Sequence, residues 1–294
     1  MNNNLEPLYI YFHIPKTGGT TFSWTVGHYL HRENDRWLKH YSYMDSQNFI
    51  HHNIPLLERR TTEQQRHLKI ITGHSTFSMS HYWLKTRRLP RYITTVRQPI
   101  DRLLSSFNYR YGVSELNQNN EIFTKCNPTM SLHACLNLKT ASDYNSLLEW
   151  YQDSNAEHNL QCKWLLKSFY GIFNNQFFLH EDIKDAPMPD IWPAWLDDLI
   201  IDDSIFEKII DIVDNKLWWA STVDTLSTDI KDFTSYANIE YVDVDNRLRS
   251  GVDFPLYWTK EQVLAQPDID KVIHNESYDQ MLYDYVKEKF RRPF

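Results

Sequence analysis

The sequence predicts an α/β fold in which helices cover a parallel sheet. Leu8–Ile14 and Tyr92–Val96 are short apolar runs of the kind that form buried strands. After each run comes a turn signal, glycine or proline, and then apolar residues at helical spacing, in Thr20–Leu30 and Ile100–Tyr111 respectively. A strand followed by a helix, repeated along the chain, favours a parallel sheet.

The other elements follow in chain order. Leu68–Thr72 predicts a strand that ends at Gly73-His74. Residues 113–145 are polar and predict an insertion, and the proline-rich stretch Pro187–Pro193 predicts a break. Helices are predicted at Ser146–Tyr170, Ser204–Lys216, Thr225–Tyr236 and Glu276–Phe290, and a further strand at Leu217–Val223. We therefore expect a single domain over residues 1–294, with 113–216 as a largely helical elaboration.

Composition and charge indicate a soluble globular protein. Of the 294 residues, 41% are hydrophobic and 23% are charged. The net charge of −7 argues against a general nucleic-acid binder, which is usually basic. No apolar run reaches the roughly 18–20 residues that span a membrane, and the first residues have no signal-type apolar core.

The cysteines and histidines predict neither a disulfide framework nor a metal site. Cys126, Cys135 and Cys162 form no CxxC pair, and so small and odd a number is typical of reduced thiols. A Cys126–Cys135 bridge stays open as the alternative. The sequence has no HExxH, EF-hand loop or Cys/His cluster, so we expect no metal.

The segment Phe12–Phe22 predicts a phosphate cradle between a strand and a helix. Gly18 and Gly19 are two of only seven glycines, and they allow successive backbone N–H groups to turn toward one anion. The helix N-terminus adds partial positive charge, and Lys16 adds a full one. Hydroxyl donors are supplied by Thr17, Thr20 and Thr21.

This loop is not a Walker A loop, in which lysine follows the glycines and a hydroxyl binds magnesium. Here Lys16 precedes the glycines. A lysine on the strand side can reach the bridging oxygen of a phosphosulfate without a metal. The alternative interpretation is a tight strand–helix turn with an exposed lysine.

A second candidate phosphate site lies in the segment 92–106. Arg97 ends a strand, and Ser105 lies eight positions later, within the following helix. An arginine fork and a serine hydroxyl from adjoining elements can grip one more phosphate. Alternatively, Arg97 pairs with Asp101 and Ser105 faces a neighbouring helix. Together with the first loop, this segment suggests a nucleotide with phosphates at both ends.

These motifs resemble those of the Golgi-type carbohydrate sulfotransferases, and are nearest to the heparan sulfate 2-O-sulfotransferases and their bacterial relatives. Ile14–Thr21 is similar to that family's 5′-phosphosulfate loop, and Val96–Ser105 to its 3′-phosphate motif. Thr72-Gly73-His74 looks like the segment that bears the catalytic histidine. Two further similar segments are Asn159–Leu165 and Asn275–Tyr285, so the resemblance covers about residues 8–290.

Two residues depart from the family's pattern. Gln98 stands where an acidic residue is common, and Thr72 stands where the 2-O enzymes carry a second histidine. The segment between Tyr170 and Leu217 is not diagnostic, and it is a candidate for shaping a different acceptor site.

The resemblance implies a P-loop-like three-layer sandwich with a central parallel sheet and helical insertions. It also implies transfer of a sulfuryl group from 3′-phosphoadenosine 5′-phosphosulfate (PAPS) to a hydroxyl on a saccharide or glycoconjugate, without a metal. Lys16 would stabilise the leaving phosphate and His74 would be the general base, with Glu58 or Glu63 as alternatives. The predicted donor-binding residues are Lys16, Thr17, Gly18, Gly19, Thr20 and Thr21 at the 5′ end, and Arg97 and Ser105 at the 3′ end.

Competing interpretations remain at the sequence level. His74 has an ordinary alternative, a histidine at a strand end that hydrogen-bonds the backbone. Lys85, Arg87, Arg88 and Arg91 line either a groove for an acidic glycan or a solvated basic turn, and Arg247 and Arg249 are candidates for nucleotide contact.

The alternative functions are a nucleotide-dependent kinase on a P-loop scaffold and a non-catalytic nucleotide- or glycan-binding module. Golgi members carry an amino-terminal membrane anchor, and none is visible here, so we expect a cytoplasmic, bacterial enzyme. The acceptor and the oligomeric state stay open.

Overall fold

The structure is a computed structural model. It describes residues 7–27, 37–40, 62, 69–73, 76, 78, 87–119, 146–152, 157–173, 176–179, 199–239, 241, 243 and 258–290. The strands are β1 (Pro7–Phe12), β2 (Trp37–His40), β3 (Ile70–Gly73), β4 (Leu89–Val96), β5 (Tyr170–Phe173), β6 (Gln176–Leu179) and β7 (Leu217–Thr222). Five of them form one sheet in the order β2-β3-β1-β4-β7, with every neighbouring pair parallel. The predicted parallel α/β fold is therefore confirmed.

The helices lie between and after these strands. They are α1 (Gly19–Gly27), α2 (Pro99–Asn119), α3 (Leu147–Gln152), α4 (Leu160–Phe169), α5 (Asp203–Asn215), α6 (Leu226–Ala237), α7 (Lys260–Leu264), α8 (Ile269–Asn275) and α9 (Ser277–Lys289). No helix in the described ranges is long and apolar enough to cross a membrane.

Alternating side chains of β1 place helices on both faces of the sheet. Leu8, Ile10 and Phe12 pack in one apolar cluster with residues of α4, α5 and α9. Tyr9 and Tyr11 face the opposite side and pack with residues of α1 and α6. All five side chains are buried, as expected for the central strand of a covered parallel sheet. The fold therefore has the three layers that the sequence predicted.

Two predicted elements are corrected by the structure. The single helix expected over Ser146–Tyr170 is two helices, α3 and α4, and Asn159 before α4 has a left-handed backbone (φ 47°). Helix α2 continues to Asn119, so the first residues of the predicted polar insertion are helical. The first half of α2 buries Ile100, Leu103 and Phe107 against α3, α7 and α8.

Several short elements escape the sequence analysis. Strand β2 has four residues at the sheet edge, where the alternation is too short to recognise. The antiparallel hairpin of β5 and β6 begins at Tyr170, the residue predicted to end a helix. Helices α7 and α8 lie where no element was predicted. The later predictions are confirmed within about two residues, namely β7, α5, α6 and α9.

Candidate functional site

The loop between β1 and α1 lies at the carboxyl edge of the sheet, where α/β proteins bind ligands. Lys16 has φ 67° and Gly18 has φ 84°, so left-handed residues occur at alternate positions. Such alternation is typical of anion-binding nests of backbone N–H groups. Helix α1 starts directly after the nest, and its N-terminus adds partial positive charge.

Both glycines of the loop are required by close packing. A Cβ on Gly18 would come within 2.6 Å of Leu226 Cδ2, in addition to the strain of a positive φ. A Cβ on Gly19 would overlap the His13 ring, at 2.6 Å from Cγ. The loop backbone therefore lies close to two side chains, that of His13 just after β1 and that of Leu226 at the start of α6.

A chain of buried hydroxyls fixes the loop to β1 and β4. Thr95 Oγ1 donates to the Thr17 carbonyl at 2.7 Å, and therefore accepts from the Tyr11 hydroxyl at 2.6 Å. Thr17 is fully buried, and its Oγ1 donates to the Ile14 carbonyl at 2.9 Å. The Thr17 hydroxyl therefore stabilises the turn, which differs from its expected role as an anion donor. Thr20 and Thr21 are half-buried in the first turn of α1.

The two candidate phosphate segments are in contact with each other. Arg97 follows β4, and its Nη1 donates to the Lys16 carbonyl at 3.3 Å. Asp101, which the sequence offered as a partner for Arg97, pairs with Lys260 at 2.8 Å. Gln98 caps α2, since its Oε1 accepts from the Asp101 N–H at 2.9 Å.

Lys16 also reaches α2 through an aromatic contact. Its Nζ lies 4.0 Å from the centroid of the Tyr109 ring. Tyr109 lies four residues after Ser105, so the two residues share one stripe of the helix. Sequence analysis singled out Ser105 and missed Tyr109, because its contact with Lys16 depends on the packing of α2 against the loop.

Other candidates fall outside the described residues. These are His74, Glu58, Glu63, Lys85, Arg247, Arg249, Cys126 and Cys135. Two arginines of the basic segment 85–91, predicted as either a glycan groove or a solvated turn, have contacts within the fold. Arg88 is buried and donates to the Pro7 carbonyl at 2.7 Å, and Arg91 lies 4.7 Å from the centroid of the Trp218 ring.

Arg102 of the second candidate segment belongs to a buried cluster of charged side chains. Arg102 is fully buried and bonds Glu157 at 2.7 Å, with Glu276 at 3.8 Å. Burial alone would lower the pKa of Arg102, but the neighbouring carboxylates Glu157 and Glu276 raise it above its ordinary value. Desolvation, with the nearby charge of Asp279, raises the pKa of Glu276 to about 7. Arg102 therefore stays charged, and Glu276 titrates close to neutral pH.

A cavity of about 480 Å³ opens beside the start of α4. Its lining includes His158, Lys163, His274 and Tyr278. It shares no residue with the β1–α1 loop, Arg97 or Ser105, so the candidate site and this cavity are separate features.

Two comparisons with known proteins match the part of the chain that holds the candidate site. The model of the "Sulfotransferase family" matches residues 7–170, more than half of the chain, and this range contains the loop, Arg97 and Ser105. The heparan sulfate 2-O-sulfotransferase of Caenorhabditis elegans is 30% identical over 130 residues. That match covers 40% of this chain and only 39% of the relative. The matching family model, which covers more than half of the chain, leads to one assignment: the chain belongs to the sulfotransferase family.

Proposed function

We propose that the protein transfers a sulfuryl group from PAPS to a hydroxyl of a saccharide or glycoconjugate. The observation that carries the proposal is the contact between the two phosphate segments, in which Arg97 donates to the carbonyl of Lys16. One nucleotide with a phosphate at each end would use both segments at once. Family membership supports sulfuryl transfer, and the similarity to the nematode heparan sulfate 2-O-sulfotransferase supports a saccharide acceptor.

The residues of the β1–α1 loop fit the 5′ end of this donor. The left-handed backbone at Lys16 and Gly18, the missing Cβ atoms and the α1 N-terminus form an anion cradle. Thr20 and Thr21 would add hydroxyl donors, and Arg97 with Ser105 would hold the 3′-phosphate. When bound, the donor supplies the activated sulfuryl group. Lys16 would stabilise the negative charge that grows on the leaving phosphate oxygen.

His74 is proposed as the base that removes the acceptor proton. Gly73 ends β3 and pairs with Phe12 of β1, so residue 74 follows a strand that ends level with the phosphate loop. A histidine that titrates near neutrality suits general-base catalysis. Transfer then needs only alignment of the two reactants and charge stabilisation.

Calorimetry tests the donor assignment. The protein is titrated in EDTA with PAP, the desulfated nucleotide, and in a separate experiment with ATP. We expect PAP to bind and Arg97→Ala to weaken it at least tenfold, because the fork to the 3′-phosphate is lost. The exposed Arg87→Ala is the matched control and should bind like the wild type. Absence of PAP binding, with ATP binding restored by magnesium, would favour the kinase alternative.

An acceptor screen with PAPS then tests the reaction. A panel of polysaccharides that includes heparan sulfate should yield a sulfated product. PAP binding without transfer to any member would favour the non-catalytic nucleotide-binding module.

A further inference from the structure

The backbone of Arg97 lies just beyond the sheet. Strand β1 pairs with β4 as far as Thr94, and β7 pairs with it as far as Val96. The N–H and C=O groups of Arg97 therefore lie beyond the paired residues of β4, and they bond to no neighbouring strand in the described part of the chain. Buried backbone groups of this kind need other hydrogen-bond partners.

The side chain of Gln161 supplies both partners. The Arg97 N–H donates to Gln161 Oε1 at 2.8 Å, and Gln161 Nε2 donates to the Arg97 carbonyl at 2.8 Å. Gln161 is fully buried, and it lies 64 residues away in the chain. A side-chain amide carries an acceptor and a donor together, so it replaces a neighbouring strand at this one position.

Gln161 is in turn held by α9. It lies in the first turn of α4, where Asn159 provides no side-chain cap. Asp279 of α9 supplies the cap instead, because its two carboxylate oxygens accept from the N–H groups of Gln161 at 3.0 Å and Cys162 at 2.8 Å. Asn159 Oδ1 accepts from the Asp279 N–H at 3.0 Å, which adds a hydrogen bond between the start of α4 and α9.

We propose that Gln161 is a positioning residue for recognition of the donor's 3′-phosphate, and that Asp279 acts through it. The proposal rests on the proposed function, in which Arg97 binds that phosphate. A guanidinium fork is directional, so a small shift of the Arg97 backbone would misalign it. Gln161 thereby contributes to the preference for nucleotides with a 3′-phosphate without touching them.

The test compares the affinities of PAP and 5′-AMP, which lacks the 3′-phosphate, by calorimetry. In Gln161→Leu we expect PAP affinity to fall at least tenfold while AMP affinity changes less than threefold. Gln161→Met keeps the length of the side chain, removes both hydrogen bonds to Arg97 and adds no charge, so it should lower the ratio of PAP to AMP affinity in the same direction. If the leucine variant does not fold, this second variant provides the measurement.

Ser168→Ala is the matched control. Ser168 is another buried polar residue of α4, and its Oγ donates to the Trp164 carbonyl at 2.9 Å. This variant should leave the ratio of PAP to AMP affinity unchanged. If both Gln161 variants keep the wild-type ratio within twofold, or weaken both nucleotides equally, the positioning role is overturned.

Failure of the donor assignment gives a different result. If the wild type itself prefers neither nucleotide, or if Arg97→Ala keeps the preference, then Arg97 does not read a 3′-phosphate. That outcome overturns the proposal too, but it appears before any Gln161 variant is measured.

Discussion

The ammonium group of Lys16 lies over the ring of Tyr109, 4.0 Å from its centroid. Lys16 belongs to the β1–α1 loop and Tyr109 to α2, one turn after Ser105. A cation–π contact of this kind stabilises by about 0.5–2 kcal/mol. The contact therefore holds the lysine of one phosphate segment against the helix of the other.

Removing the ring should disorder the lysine. In Tyr109→Leu we expect PAP affinity to fall about two- to tenfold, because Lys16 must then be ordered when the nucleotide binds. Tyr109→Phe keeps the ring and should bind like the wild type in the same calorimetric titration. Equal effects of the two variants would contradict this role of the ring.

Lys16 should matter more for turnover than for binding. We expect Lys16→Ala to lower kcat about 10²–10³-fold, since charge on the leaving oxygen is then unopposed. PAP affinity should change less, because the backbone nest and the α1 N-terminus remain. Steady-state kinetics with PAPS measure this split, and the exposed Lys271→Ala is the control. A loss confined to KM would count against the assigned role.

The contact between Gly19 and His13 predicts a compensating pair. Gly19→Ala should destabilise the fold by about 1–3 kcal/mol, because its Cβ overlaps the His13 ring. Adding His13→Ala opens the space and should recover most of the loss. Urea unfolding of the two single variants and the double variant measures the coupling. Simple additivity of the two changes would show that the ring is not the obstacle.

His74→Ala should lower kcat about 10²–10⁴-fold while PAP still binds. The wild-type kcat should rise with pH through the range in which a histidine titrates, and the variant should lose that rise. Turnover within about tenfold of the wild type would point to Glu58 or Glu63 as the base instead. The variants Glu58→Gln and Glu63→Gln then show which of the two glutamates is the base.

Glu276 should make folding stability depend on pH. Its pKa is raised to about 7 in the folded protein from an ordinary 4.5, chiefly by desolvation and by Asp279. The folded state thus keeps a proton that the unfolded state releases, and the unfolding free energy falls as pH rises from about 4.5 to 7. Arg102, Tyr151 and the Cys162 thiol also lie close to Glu276.

Glu276→Gln should flatten this part of the stability curve. Urea unfolding between pH 5 and 8 measures it, with the exposed Glu288→Gln as the control. An unchanged slope in Glu276→Gln would mean that another group titrates in this range.

Local sequence patterns predicted the loop and Arg97, but not the residues that contact them from elsewhere in the fold. The loop and Arg97 were predictable because glycines, a proline and apolar runs mark a strand, a turn and a helix within a few residues. Tyr109 contacts Lys16, and Gln161 contacts Arg97 across 64 residues, only because the sheet and helices pack as they do. Such pairs have no local signal, since each side chain would also suit an ordinary helix surface.

The structure also bears on whether the family-matched part of the chain could be produced as a separate fragment. Strand β7 lies outside residues 7–170, yet it covers the outer side of β4, where the Val223 N–H donates to the Val96 carbonyl at 3.0 Å. A fragment ending at residue 173 would expose β4 as an open edge, which invites aggregation. It would also lack Asp279, the cap of α4. Soluble, active protein therefore requires residues that follow the matched part.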